Sequence, residues 1–113
     1  MQIQINFGDV TVSPALNDHV QDRIGHALRH VEDRRLTRVE VHLHDDKQKR
    51  NGPDDTRCTI EARLAGCDPL AVTHKSTDLY EAVSKAADKL GRAVKHKVER
   101  RDDHSHEIRR AAS

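Results

Sequence analysis

Thr37-Arg-Val-Glu-Val-His-Leu-His44 (TRVEVHLH) alternates apolar and polar residues without a break. Val39, Val41 and Leu43 point to one side and Arg38, Glu40, His42 and His44 to the other, the period-two signature of a half-buried strand. A strand with one apolar face belongs to a sheet covered on one side only. The flanking segments decide what covers it. Upstream, residues 2–7 alternate in the same way, with Ile3, Ile5 and Phe7 on one face and Gln2, Gln4 and Asn6 on the other. Between the two strands, Ser13-Pro14 supplies a hydroxyl N-cap followed by a proline at the first helical position. Leu16, Val20, Ile24, Ala27 and Val31 then recur at helical spacing, which predicts an amphipathic helix from Pro14 to about Asp33. A strand–helix–strand unit of this kind closes as a right-handed parallel crossover.

Downstream, Asp45–Asp55 (DDKQKRNGPDD) is a polar loop centred on Asn-Gly-Pro. Thr56–Ala65 is a third strand with Cys58, Ile60, Ala62 and Leu64 inward, and Leu70–Lys75 a fourth after the Gly66–Pro69 turn. Tight or polar connections make strands two to four an antiparallel meander. Ser76-Thr77-Asp78 caps a long second helix, with Asp78 and Glu81 at capping-box spacing and Leu79, Val83, Ala86, Leu90 and Val94 along its buried stripe. The predicted fold is an α+β two-layer sandwich of order β-α-β-β-β-α: a four-stranded mixed sheet with both helices on one face, resembling a double-stranded-RNA-binding domain. Residues 1–101 form this domain. Residues 102–113 (DDHSHEIRRAAS) lack apolar periodicity and are expected to be a disordered tail.

The chain has 113 residues, 35% of them hydrophobic and 35% charged, which suits one thin domain and not a deep enclosed active site. No stretch approaches the roughly 20 apolar residues of a membrane helix, and MQIQINF lacks the layout of a signal peptide. A cytoplasmic protein is expected. Cys58 and Cys67 show neither metal-ligand nor redox spacing, and Cys58 has the parity of a small core residue. No glycine-rich phosphate loop, nucleophile elbow or H-E-x-x-H is present. Asp45, Asp46, Asp54 and Asp55 flank the loop and could attract a divalent ion, but Lys47, Lys49 and Arg50 between them make it self-neutralising. His42 and His44, beside Glu40 and Glu61 on the open sheet face, would need a pocket to act as bases, and His74 has inward parity near a strand end. The sequence predicts no enzyme, no cofactor, no metal and no small-molecule substrate.

Charge is segregated along the second helix. At 100° per residue from Leu79, Lys85, Lys89, Arg92, His96 and Arg100 fall between about 220° and 300°, while the apolar residues centre near about 20°. Lys95, Lys97 and Arg101 add charge toward the C-terminal end. From Lys85 to Arg101, seven cations face two anions (Asp88 and Glu99), so the segment is +5; the whole chain is +1, which leaves −4 for the rest. A cationic ridge on an otherwise acidic chain is suited to a polyanion, whose neutralised phosphates release condensed counterions. Phe7 and Tyr80 are the only aromatics and both have core parity, so no base-stacking platform is expected and recognition should rest on phosphates and RNA shape. On the first helix, His19, Arg23, His26 and His30 lie within about 60° of one another. His26 and His30, at i and i+4, have the spacing of metal ligands, but no carboxylate or cysteine is placed to complete a site; a polar stripe facing RNA, or solvent, is expected instead.

Several segments resemble the ribosome hibernation-promoting factor and ribosome-associated inhibitor family in its short form, also called the sigma-54 modulation protein family. They are M-Q-I-Q-I at the start, S-P-A-L at Ser13–Leu16, V-E-V-H-L at Val39–Leu43, D-L-Y at Asp78–Tyr80 and D-K-L-x-R at Asp88–Arg92. The resemblance covers roughly residues 1–101. It implies a sheet carrying two helices whose basic faces contact small-subunit rRNA and occlude mRNA and tRNA positions, silencing translation under stress. By position, Lys89 and Arg92 match basic residues of the family's second helix and Arg23 one of its first; His26 stands where a lysine is common. Asn17 replaces a usual arginine, and the loop at Asp45–Asp55 is longer than usual. The expected RNA-binding set is Arg23, His26, His30, Lys85, Lys89, Arg92, Lys95, His96, Lys97 and Arg100. The expected partner is the small ribosomal subunit, met by a monomer.

Overall fold

The element order is β1 (Ile3–Asn6), α1 (Pro14–Ala27), β2 (Leu36–Asp45), β3 (Thr56–Leu64), β4 (Leu70–Ser76) and α2 (Leu79–Ala112). The computed structural model describes residues 2–8, 10–11, 13–31, 35–45 and 56–112, with side chains through Arg100. The loop read between Asp45 and Asp55 lies, from Asp46 on, outside the described residues. The sheet order is β1-β2-β3-β4. Strand β1 runs parallel to β2, with Ile3 opposite Val39 and Ile5 opposite Val41; β2–β3 and β3–β4 are antiparallel. This is the α+β architecture that the alternation and the crossover predict.

One face of the sheet is dry. Val39, Val41, Leu43, Cys58, Ile60, Ala62 and Leu64 pack there against Leu16, Val20 and Ile24 of α1 and Val83, Ala86, Ala87, Leu90 and Val94 of α2 in a single core. Both helices therefore roof the same side. Fully burying a Val, Ile or Leu side chain contributes about 1.5–3 kcal/mol, so inward parity decides which way the sheet faces. The opposite face carries Gln4, Asn6, Arg38, Glu40, His42, Arg57, Thr59, Glu61, Arg63, Thr73 and Lys75, all half-buried or exposed. Near the mouth of the β2–β3 connection the buried Thr56 hydroxyl donates to the Ser76 carbonyl at 2.6 Å, which satisfies a polar group inside the core.

The start of α1 is as read: Ser13 is the N-cap and its Oγ accepts from the Leu16 N–H at 3.1 Å. Its end is not. The helix stops at Ala27, with Leu28 as C-cap and a turn over residues 28–30, whereas the apolar spacing predicts a helix to about Asp33. Leu28 is buried at 3% exposure and sits next in the chain to the buried Ala27. Past Ala27 the backbone hydrogen bonds tighten to the i→i−3 pattern, with the Arg29 N–H on the His26 carbonyl at 3.3 Å and the Val31 N–H on the Leu28 carbonyl at 3.0 Å, which closes a turn in place of further helix. The other departure is in α2, which continues to Ala112 where the sequence reading places a disordered tail from Asp102. Backbone hydrogen bonding in a helix is local, and no proline or glycine follows Gly91 to interrupt it. Lack of an apolar stripe removes a packing partner, not the helix itself. Among the described side chains of α2, Val98 is the last one packed against the core.

Cys58 is fully buried, and desolvation pushes its thiol up from 9.0 to about 12. The folded state thus holds this proton more tightly than the unfolded chain does. The resulting stability is complete below pH 9 and is lost as pH rises toward 12. Iodoacetamide at pH 8 is expected to alkylate only the partly exposed Cys67 in the native protein and both cysteines in denaturant, as mass spectrometry would show; native alkylation of both would contradict a sealed core.

Candidate nucleic-acid interface

Lys85, Lys89, Arg92, His96 and Arg100 share one ridge of α2, with Lys95 and Lys97 on its two flanks. Lys85, Lys89, Arg92, Lys95, His96 and Arg100 are all exposed, while Lys97, closer to the apolar stripe, is half-buried. The core residues of α2 occupy the opposite side of the helix, so sequence periodicity alone places these side chains outward. Among the described residues, no carboxylate lies within ion-pair distance of Lys85, Arg92, Lys95 or Arg100. Lys89 is the exception to a free ridge: its Nζ donates to the Thr73 carbonyl at 3.0 Å, tying α2 to strand β4. That partner is neutral, so the charge of Lys89 persists while its reach is reduced.

Two clefts flank the ridge. On the α1 side, His26, Arg29 and His30 face Asp88, Gly91, Arg92 and Lys95 across a cleft of about 320 Å³. On the sheet side, His96, Lys97 and Arg100 face the Gly66–Leu70 turn across one of about 520 Å³. The ten predicted residues are thus divided. His26, His30, Arg92 and Lys95 meet in the first cleft, and His96, Lys97 and Arg100 in the second. Lys85 and Lys89 continue the ridge toward the start of α2, and Arg23 is half-buried on α1. His30 reaches its cleft from the turn after α1, not from the helix, so the i,i+4 relation to His26 is not a shared helical face.

Arg29 was missed by sequence reasoning. Its Nη1 donates to the His26 carbonyl at 2.6 Å, beyond the last turn of α1, where a cation meets the negative end of the helix dipole. Arg29 falls off the His19–Arg23–His26–His30 line on the wheel, and the structure places it in this cleft beside His26. Tyr80 is a second correction. Its parity predicts core, yet it is 39% exposed and its ring centroid lies 4.9 Å from that of His19. His19 Nε2 is within hydrogen-bonding distance of both the Tyr80 carbonyl (3.1 Å) and the Ser84 hydroxyl (3.0 Å), so this histidine joins α1 to α2 and leaves the proposed RNA-facing stripe.

The first cleft owes its narrow floor to Gly91. A Cβ there would stand 2.8 Å from the Ala27 carbonyl oxygen and 3.3 Å from the Ala27 Cβ. Glycine inside a helix costs about 1 kcal/mol relative to alanine, and here it allows α2 to pass directly over the end of α1. Arg92 and Lys95 are thereby brought opposite His26 and Arg29.

The matching family model is that of the Sigma 54 modulation protein / S30EA ribosomal protein family, over residues 3–102. The chain belongs to this family. Among its relatives, the ribosome hibernation promoting factor of Azotobacter vinelandii is 34% identical over 100 residues, which span 86% of this chain and 83% of that protein. The one of Acinetobacter guillouiae is 30% identical over 102 residues, spanning 86% and 88%. The fold is also that of the Thermus thermophilus Protein Y N-terminal domain (TM-score 0.68, 24% identity, 85% of this chain and 98% of that one). A ribosomal subunit interface protein from Coxiella burnetii superposes similarly (TM-score 0.70, 22% identity, 87% and 99%). No helix among the described residues is long and apolar enough to cross a membrane.

Replacing Gly91 by alanine should force the helices apart despite alanine's better helix propensity. The expected cost is about 1–3 kcal/mol, read as a fall in Tm on the order of 5 °C. An unchanged or raised Tm would show that the contact with Ala27 relaxes without strain.

Proposed function

We propose that this chain is a ribosome-associated hibernation factor that binds small-subunit rRNA through the α2 ridge and the α1–α2 cleft, covering mRNA and tRNA positions and silencing translation. The observation that carries this reading is the ridge itself: exposed cations over about four helical turns, without carboxylate partners among the described residues. Arg92, Lys95, Arg29 and the imidazoles of His26 and His30 converge on one groove, where phosphates of folded RNA would be neutralised from two sides. Arg23, Lys85, Lys89, His96, Lys97 and Arg100 extend the contact surface. The hibernation factors to which the chain is 30–34% identical support the same assignment.

In this reading the protein is a binding protein and not an enzyme, works in the cytoplasm where ribosomes are, needs no cofactor and acts as a monomer. Residues 1–101 form the binding body. The remainder of α2 is an extension whose part in binding is separate. Tyr80, although exposed, has one face against His19, so recognition rests on phosphate geometry more than on base stacking.

The test is sedimentation through sucrose gradients together with cell-free translation. Wild-type protein should travel with small subunits or whole ribosomes and inhibit translation. The double variant R92E/K95E should remain at the top of the gradient and leave translation uninhibited. Each phosphate contact contributes about 0.9 to the slope of log affinity against log salt, so neutralising the pair instead (R92Q/K95Q) should reduce that slope by about 2. Equal affinity of the wild type for any duplex RNA would point to a general structured-RNA binder, and failure to cosediment at low salt would end the ribosomal reading.

A further inference from the structure

The sheet face turned away from the helices holds a cluster that the RNA-binding surface does not use. Glu40 and His42 are two residues apart on β2 and so project from the same side, and Glu61 of β3 is the direct cross-strand partner of Glu40. Like charges directly opposite one another destabilise a sheet, and nothing in the packing requires acids at these open positions. Arg38 answers only half of the problem: its Nε lies 2.9 Å from Glu40 Oε1 as an ion pair without hydrogen-bond alignment, and its guanidinium donates to the Gln4 side chain on β1. The second oxygen of Glu40, Oε2, stands 3.6 Å from His42 Nε2. One ligand atom from each of Glu40, His42 and Glu61 lies within 4.8 Å of the others.

We propose that Glu40, His42 and Glu61 bind a divalent first-row transition ion of the Zn²⁺ type. With metal–ligand bonds of about 2.0–2.2 Å, two ligands of a tetrahedral ion stand about 3.4 Å apart. The 3.6 Å between His42 Nε2 and Glu40 Oε2 is close to that edge and longer than a hydrogen bond. All three side chains are half-buried, desolvated in part yet open to an ion from solvent. An imidazole beside two carboxylates favours Zn²⁺ and its neighbours over Mg²⁺ and Ca²⁺, which take oxygen ligands. The adjoining cleft of about 280 Å³, lined by Gln4, Asn6, Arg38, Glu40 and His42, has room for a water ligand in the fourth position. Bound there, the ion would join β2 to β3 and replace the repulsion between Glu40 and Glu61 by a shared cation.

Titration of metal-depleted full-length protein with ZnCl₂, followed by calorimetry and by the shift in Tm, tests the site. One equivalent should bind and raise Tm, because an ion held only by the folded state stabilises it. H42A and E61Q should each weaken that binding at least tenfold, whereas C67S and H26A/H30A should leave it unchanged. E61Q removes the cross-strand repulsion, so its metal-free Tm should equal or exceed that of the wild type, which separates loss of a ligand from loss of fold. Absence of a stoichiometric equivalent in the wild type would overturn the proposal, as would an equivalent that survives both H42A and E61Q. Neither result bears on ribosome cosedimentation, which depends on the opposite side of the molecule.

Discussion

Helix α2 can rest on the end of α1 only because Gly91 presents no side chain to the Ala27 carbonyl, 2.8 Å from where a Cβ would be. Much of the functional geometry follows from that approach. The two helices must share one side of a sheet whose other side is polar, and a closely packed interior leaves little slack for them to drift apart. Where they meet, the turn at Leu28 redirects the chain, so Arg29 and His30 arrive beside Arg92 and Lys95. Packing in the core thus sets the spacing of charges on the surface.

The two faces of the molecule carry opposite electrostatic problems. On the helix side, cations are gathered without ion-pair partners among the described residues, although Asp88 lines the same cleft, an arrangement whose mutual repulsion suits a polyanionic partner. On the open sheet face, Glu40 and Glu61 oppose one another in register, with Arg38 as an ion-pair neighbour of one of them. Each is a charge pattern that the fold tolerates rather than requires. Charges of that kind are informative about partners, because packing does not account for them.

Particular residues show where sequence reasoning reached its limit. The alternation in Thr37–His44 and Thr56–Leu64 was sufficient for the sheet, since period-two patterning and burial describe the same fact. Ser13 as a helix cap was equally legible, because capping is settled within a few residues. Tyr80 and the end of α1 were not. Tyr80 has core parity but sits at the helix edge, where His19 of α1 and not the sheet covers it. The stop at Ala27 is made by an i→i−3 turn running to Val31, which the apolar spacing, itself continuing to Val31, does not reveal.

By itself the sequence determined the order of elements, the single apolar face of every strand and the continuous basic ridge of α2, because each depends on periodicity within one element. Tertiary structure alone decided that Arg29 joins His26 in the interhelical cleft, that Lys89 is tied to Thr73, and that Glu61 stands across from Glu40. These contacts link residues brought together by helix crossing, helix termination and strand register, which are set by how whole elements pack and not by the spacing of residues along any one of them.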